Sequence, residues 1–196
     1  MKRVAVLISG RGSNLGALIA AQDASYRIVL VISNVEGAGG LDKARAAGIA
    51  TSVTPHAGKS REAFDAEMDA SLRAANIELV VLAGFMRILS DGFARGWEGK
   101  LINIHPSLLP AYKGTKVHER VIEAKEAISG ASVHFVVPEL DAGPVVAQAS
   151  VPVHPSDTPA TLAERVLEIE HKLYPEALKL LASGRVKLEN GLAVFS

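Results

Sequence analysis

A chain of 196 residues whose 21 basic and 21 acidic side chains cancel offers no electrostatic footprint for a nucleic-acid backbone. With 48% hydrophobic residues and only 5% aromatic it can fill an aliphatic α/β core, and the lack of cysteine excludes disulfides, thiolate metal sites and a cysteine nucleophile. No apolar run approaches the ~20 residues of a membrane span and no secretory cleavage pattern is present, so the expectation is a soluble, cytoplasmic protein with small-molecule partners, no membrane and no nucleic acid.

Residues 4–8 predict a short aliphatic strand that runs into Ser9-Gly10-Arg11-Gly12-Ser13-Asn14 and then a helical pattern at Leu15, Leu18 and Ile19. Strand, glycine loop and helix make an anion site, because the first-turn N–H groups and the helix dipole converge on the loop. A dinucleotide fingerprint fits poorly. Gly16 comes one residue late for the third glycine, and the second strand, residues 28–33, ends in Asn34 rather than an acid. Gly12, Ser13 and Asn14 suit a phosphate monoester; a plain tight turn with a Ser or Asn cap is the alternative.

A glycine-rich connection at residues 37–40 leads to a helix over 41–47 closed by Gly48, then a third strand over 49–54. Residues 60–76 predict an amphipathic helix with Phe64, Met68 and Leu72 inward. The all-apolar run 79–83 suits a strand buried on both faces, and the loop after it, Gly84 to Leu89, is too apolar for ordinary surface. Residues 101–104 form the fifth strand, continuing into Asn103-Ile104-His105-Pro106. Asn103 and His105, two apart, leave an extended strand by the same face as Leu101. A helix over 117–127 follows, then strands over 132–137 and 145–153 with no room for a helix between them, hence antiparallel. Thr158-Pro159 starts a last helix, with Leu162, Val166, Ile169 and Leu173 on one face, that Pro175 should kink or restart and Gly184 closes; residues 186–195 are a terminal β segment. These elements predict an α/β doubly wound, mostly parallel, Rossmann-like sheet with an antiparallel C-terminal portion. They form one domain over 1–196, with a phosphate-binding lobe over 1–100 and a catalytic lobe over 101–196.

Asn103, His105, His134 and Asp141 are polar residues in otherwise aliphatic surroundings. An amide and an imidazole side by side at a strand end can give two hydrogen bonds to one reacting oxygen. A carboxylate beside an imidazole favours its cation and makes it a better donor. The same histidines and aspartate could instead hold a metal, although no helical His spacing supports one.

The run Asn103-x-His105-Pro106-Ser107-Leu108-Leu109-Pro110, with Ser132-Val133-His134-Phe135 and Leu140-Asp141-x-Gly143-Pro144, resembles the formyltransferase family that uses 10-formyltetrahydrofolate. Within it, Ile8-Ser9-Gly10-Arg11-Gly12-Ser13-Asn14-Leu15 and Ala83-Gly84-Phe85-Met86-Arg87-Ile88-Leu89 are similar to the branch whose acceptor is glycinamide ribonucleotide in purine synthesis. The resemblance implies the formyltransferase fold, 10-formyltetrahydrofolate as co-substrate and no metal. It implies Asn103, His105 and Asp141 as the catalytic group, with His134 supporting them. Gly12, Ser13 and Asn14 would bind the phosphate and Glu170 the ribose. Arg61, Met86, Arg87, Ile88, Leu89, Asn103 and the run Val137, Pro138, Glu139, Leu140 and Asp141 would line the folate site, and Leu109-Pro110 would be cis. Lys113-Gly114-Thr115 stands where relatives often carry Pro-Gly-Leu, and Ala142 where a second glycine is common, which bears on loop shape and folate affinity.

A formyltetrahydrofolate hydrolase would share the catalytic group but usually has an extra N-terminal domain, whereas the strand pattern here begins at once. A tRNA formyltransferase needs a basic RNA-binding domain. A non-catalytic nucleotide-binding module would account for the Gly10 loop and leave Asn103, His105 and Asp141 without a purpose. Monomer and homodimer are both open.

Overall fold

Aliphatic alternation sets the layers. In β1 (Lys2–Ile8) Val4, Val6 and Ile8 face one helix layer while Ala5 and Leu7 face the other, all fully buried. The computed structural model describes Met1–Ser196 throughout. After β1 come α1 (Ser13–Ala20), β2 (Tyr26–Ser33), α2 (Gly39–Ala46), β3 (Ala50–Val53), α3 (Arg61–Ala74), β4 (Leu79–Leu82), α4 (Asp91–Gly96) and β5 (Leu101–His105). Then follow α5 (Val117–Glu123), β6 (Ile128–Phe135), β7 (Val145–Pro152), α6 (Pro159–Ala182) and a hairpin of β8 (Val186–Glu189) and β9 (Leu192–Phe195).

One seven-stranded sheet runs in the order β3-β2-β1-β4-β5-β6-β7. Strands β1 to β5 run parallel to one another, and β6 is antiparallel to both β5 and β7. This is the α/β fold expected from the sequence. The chain winds outward from β1 to β3 and then restarts at β4 on the other side of β1, so the topological switch point lies between β1 and β4. Ligand clefts in such sheets open at the carboxyl ends of the strands at that point. Here Ser9 N–H donates to Gly84 O (3.2 Å) and Ser9 Oγ accepts from Met86 N–H (2.8 Å), so the loops after β1 and β4 are tied together.

Helix α6 is the central strut of the larger layer, burying Leu162, Val166, Glu170, Leu173, Tyr174, Leu178 and Leu181. Thr158 caps it through Thr161 N–H, and Pro159 opens the first turn. The helix does not restart at Pro175; α6 runs continuously through it. Pro175 removes the N–H that would meet His171 O, at a cost of about 3 kcal/mol in an isolated helix. Burial of the face on both sides of the proline outweighs that loss.

Other boundaries differ for local reasons. The helix expected over 117–127 stops at Glu123, where Ala124 N–H bonds back to Arg120 O and Lys125 turns left-handed (φ 55°) to release β6. The short α4, capped by Ser90 through Phe93 N–H, has too few turns to leave a periodic signal. The terminal β segment folds on itself across Asn190-Gly191, both at positive φ. The Leu109-Pro110 peptide is cis.

Tyr174 joins α6 to the strands that deliver the cleft. Its fully buried hydroxyl lies 2.7 Å from Leu82 O, in the last residue of β4, and 3.1 Å from Ile102 O in the first half of β5. Tyr174→Phe leaves those carbonyls short of a donor and is expected to cost about 1–3 kcal/mol. Urea unfolding followed by circular dichroism should give a lower midpoint at unchanged slope.

Candidate active site

The first half of the site is the open end of α1. Gly12, its N-cap residue, is left-handed (φ 68°), and a Cβ there would lie 2.6 Å from Gly40 Cα, so the loop closes only around glycines. Gly16 N–H is the first in the helix to meet a carbonyl, Gly12 O at 3.0 Å. The N–H groups of Ser13, Asn14 and Leu15 have no backbone acceptor and no side-chain cap. Helix α6 brings two side chains to this end. Asn14 Nδ2 donates to Glu170 Oε2 (2.8 Å), and Ser13 Oγ sits 2.6 Å from His171 Nε2. Asn14 Oδ1 is buried without a partner, and Lys43 Nζ rests on Gly12 O (3.2 Å) with no carboxylate of its own. Burial raises the Glu170 carboxyl above its usual range, partly offset by the Asn14 amide, and burial together with Lys43 lowers His171.

The second half is the end of β5. Pairing with β6 sets Asn103 opposite His134 and His105 opposite Ser132. Asn103 and His105 leave the strand on the face of Leu101, away from Ile102 and Ile104, as their spacing predicts. Asp141 comes from the β6–β7 connection in a left-handed conformation (φ 48°), costly for a residue with a Cβ. Its Oδ2 lies 3.5 Å from His105 Nδ1 and accepts Gly114 N–H at 2.9 Å; its Oδ1 lies 3.7 Å from His134 Nε2.

Hydrogen-bond bookkeeping separates the two imidazoles. His105 Nε2 is 2.9 Å from Tyr112 O, and a carbonyl only accepts, so Nε2 carries a proton. Nδ1 is then the ring position open to a second proton, and Asp141 is the carboxylate that faces it. His134 Nδ1 donates to Phe135 O at 2.8 Å, so its Nε2 takes the Asn103 amide N–H at 3.3 Å. Burial lowers the His134 pKa and keeps that ring neutral. Its approach to Asp141 is therefore not an ion pair. Asn103 is oriented by His134, with a second amide hydrogen still to give.

These groups form one wall of a cavity of about 660 Å³. Gly84 to Leu89 and Val136 to Asp141 form two other walls, so both halves of the chain contribute. Met86, Ile88 and Leu140 leave large apolar surface at the rim, 79%, 59% and 53% exposed. The N–H groups of Arg87, Ile88, Leu89, Val137, Glu139 and Leu140 have no partner inside the protein. An apolar slot with unspent backbone donors fits a flat heterocycle that carries its own donors and acceptors. No group of three or more His, Asp or Glu is arranged to hold a metal ion.

Of the residues singled out from sequence, Asn103, His105, His134, Asp141, Met86 to Leu89 and Val137 to Leu140 meet in this cavity, and Gly12, Ser13, Asn14 and Glu170 meet at the α1 terminus. Arg61 does not line the cavity. It begins α3 and borders a neighbouring depression with Asp65, Asp69 and Ser90. Two residues escaped sequence reasoning. His118 lines the cavity with Nδ1 buried and unpaired, and burial lowers its pKa; its place among charged residues on a short helix reads as solvent face. Lys43 reaches the glycine loop from α2, a contact no local pattern marks.

The family model for formyl transferase matches residues 2–178. The chain is 53% identical over 194 residues to the trifunctional purine biosynthetic protein adenosine-3 of Bos taurus, an alignment covering 96% of this chain and 19% of that protein. It is 45% identical over 194 residues to the phosphoribosylglycinamide formyltransferase of Escherichia coli (strain K12), covering 97% of this chain and 92% of the other. The crystal structure of phosphoribosylglycinamide formyltransferase from Anaplasma phagocytophilum matches the fold with a TM-score of 0.93 at 44% identity, over 100% of this chain and 94% of that one. The chain thus spans nearly all of the bacterial relative and 19% of the length of the trifunctional one, and by sequence and by fold it belongs to the formyl transferase family.

Proposed function

We propose that the chain transfers the formyl group of 10-formyltetrahydrofolate to the amine of glycinamide ribonucleotide, a step of purine synthesis. The reading rests chiefly on Asp141, a buried carboxylate 3.5 Å from His105 Nδ1 at the back of an apolar-rimmed cavity, with the Asn103 amide on the same strand face. The two relatives named above carry purine synthesis or this reaction in their names.

The ribonucleotide phosphate occupies the α1 terminus, where free N–H groups of Ser13 and Asn14 and the helix dipole favour an anion. Glu170 accepts from the ribose. The folate ring system lies between Met86, Ile88 and Leu140, read by the backbone of residues 87–89 and 137–140. As a co-substrate it supplies an activated formyl carbon and a nitrogen leaving group. When the amine attacks that carbon, negative charge develops on the formyl oxygen. Asn103 Nδ2 and His105 Nδ1–H donate to it, and Asp141 balances the ring's positive charge and receives the proton shed by the amine, directly or through water. His134 holds the Asn103 amide in the donating orientation. Tyr112 O holds His105 Nε2, so the ring cannot turn its other nitrogen to the reaction. The tetrahedral adduct then collapses: the oxyanion re-forms the carbonyl, the bond from the formyl carbon to the folate nitrogen breaks, and the proton taken from the amine passes to that departing nitrogen, with no covalent enzyme intermediate.

Formyl transfer assayed with both substrates, beside a control lacking the ribonucleotide, tests the function. Product formation only with the acceptor supports it; folate deformylation at the same rate in the control would favour hydrolysis and overturn it. Asn103→Ala and His105→Ala should each lower kcat by roughly 10²–10³ in a folded protein, the scale of a lost oxyanion donor. Near-normal turnover in either variant removes that residue from the mechanism.

Glu170 yields a pH prediction. Burial raises its pKa in the folded protein above that in the unfolded chain, so the stability present in acid is lost as pH rises through the raised value. Glu170→Gln keeps an acceptor for Asn14 and removes the buried charge. Its urea midpoint should exceed that of the wild type at about pH 7, and the difference should shrink steadily toward about pH 3, below the unfolded-state pKa, where the wild-type carboxyl is protonated in both states. Its ribonucleotide KM should rise while the folate KM stays level.

A further inference from the structure

The segment between the cis proline and α5 is held in a conformation its sequence does not favour. Tyr112 (φ 55°), Gly114 (φ 82°) and Lys116 (φ 54°) are all left-handed, and only one of them is glycine. From this short run come both bonds that set the His105–Asp141 pair. Tyr112 O takes His105 Nε2–H at 2.9 Å, and Gly114 N–H donates to Asp141 Oδ2 at 2.9 Å. Alternate residues thus face the imidazole and the carboxylate, which is what alternate left-handed turns achieve over so few residues.

Outside the cavity the same run is clamped by Arg120 of α5. Its Nη1 donates to Lys113 O at 2.7 Å and to Thr115 O at 3.3 Å, and its guanidinium carbon stands 5.3 Å from the centre of the Tyr112 ring. The Tyr112 hydroxyl donates to Glu126 Oε1 at 2.6 Å, a second tether that also raises the phenol pKa. Lys113 and Thr115, whose carbonyls Arg120 grips, alternate with Tyr112 and Gly114, whose polar groups point inward. Gripping one set fixes the direction of the other.

We infer that Arg120, with the Tyr112–Glu126 bond beside it, is a positioning residue for the proposed reaction: through the 112–116 loop it fixes which nitrogen of His105 faces the reacting formyl group. Arg120 itself touches neither His105 nor Asp141, and it does not line the cavity. Both carbonyl bonds come from the one nitrogen Nη1, and what lysine lacks is the planar guanidinium that lies over the Tyr112 ring while that nitrogen donates. The inference builds on the formyl-transfer reading for its catalytic consequence, and its structural part stands without substrate.

Long-range ¹H–¹⁵N spectra of the histidine rings in the free protein, at a pH where His105 is neutral, read the tautomer. The wild type should hold His105 with its proton on Nε2. In Arg120→Met the Nδ1–H tautomer should appear, with kcat down about tenfold and both KM values within about threefold. Arg120→Lys should fall between, and Tyr112→Phe should move the tautomer the same way by less. A wild-type His105 already divided between tautomers, or an Arg120→Met protein with unchanged ring spectra and unchanged kcat, would overturn the inference. So would a variant whose KM values rise with its kcat loss, because that marks general loosening rather than positioning. Because the spectra need no substrate, a wild type that fails to transfer formyl would count against the proposed reaction and leave the ring assignment to be judged alone.

Discussion

The register of β5 against β6 is the constraint on which the site depends. Side chains alternate along a strand, so a slip of one residue would send Asn103 and His105 into the aliphatic layer under α6 and bring Ile102 and Ile104 into the cavity. Two things hold the register. The aliphatic faces of β5 and β6 are buried on the α6 side, with Ile102, Ile104, Ala131, Val133 and Phe135 in one core. Ser132, opposite His105, accepts Leu109 N–H at 3.0 Å and donates to Ser107 O at 2.6 Å, pinning the loop that leaves β5 to the strand beside it. The chemistry sits at the point where a parallel strand meets an antiparallel one, and its geometry is as fixed as the sheet.

Each half of the candidate site holds a buried carboxylate. Asp141 and Glu170 are both more than nine-tenths buried, and neither pairs with lysine or arginine. Asp141 is offset by a backbone N–H and by the imidazole it faces, Glu170 by a single amide. Groups held this way are costly in the free protein, and binding polar ligand atoms at them recovers part of the cost. The exposed ion pairs elsewhere, such as Lys2–Glu78 and Arg45–Asp42, are screened by solvent and contribute little.

Much of this was legible in the sequence. The aliphatic runs around Val6, Ile32 and Val81 marked buried parallel strands, and the two-residue spacing placed Asn103 and His105 on one face. The strand, glycine loop and helix start were readable because their physics is local, and the structure leaves the first-turn N–H groups of that helix free. What could not be read was either too short or too distant. Helix α4 is six residues long and leaves no period, and α6 runs through Pro175 because tertiary burial overrides the local preference. Its aliphatic surroundings suggested Asp141 as a partner for an imidazole, but spacing could not single out His105 or exclude a metal, since the residues are far apart in the chain; the family resemblance supplied that choice. Lys43, His118 and the Arg120 clamp likewise depend on which elements end up adjacent, and sequence spacing does not encode that.

The apolar rim of the cavity has a thermodynamic consequence. Met86, Ile88 and Leu140 stand in water in the free protein, on loops where the backbone N–H groups of Ile88 and Leu140 and of several neighbours are unpaired. A planar ring seated among them removes that surface from solvent and takes up those donors in the same event. Removing apolar surface from water lowers the heat capacity of the complex, so the binding enthalpy must grow more favourable as temperature rises. Affinity changes little over the same interval, because the entropy moves against it.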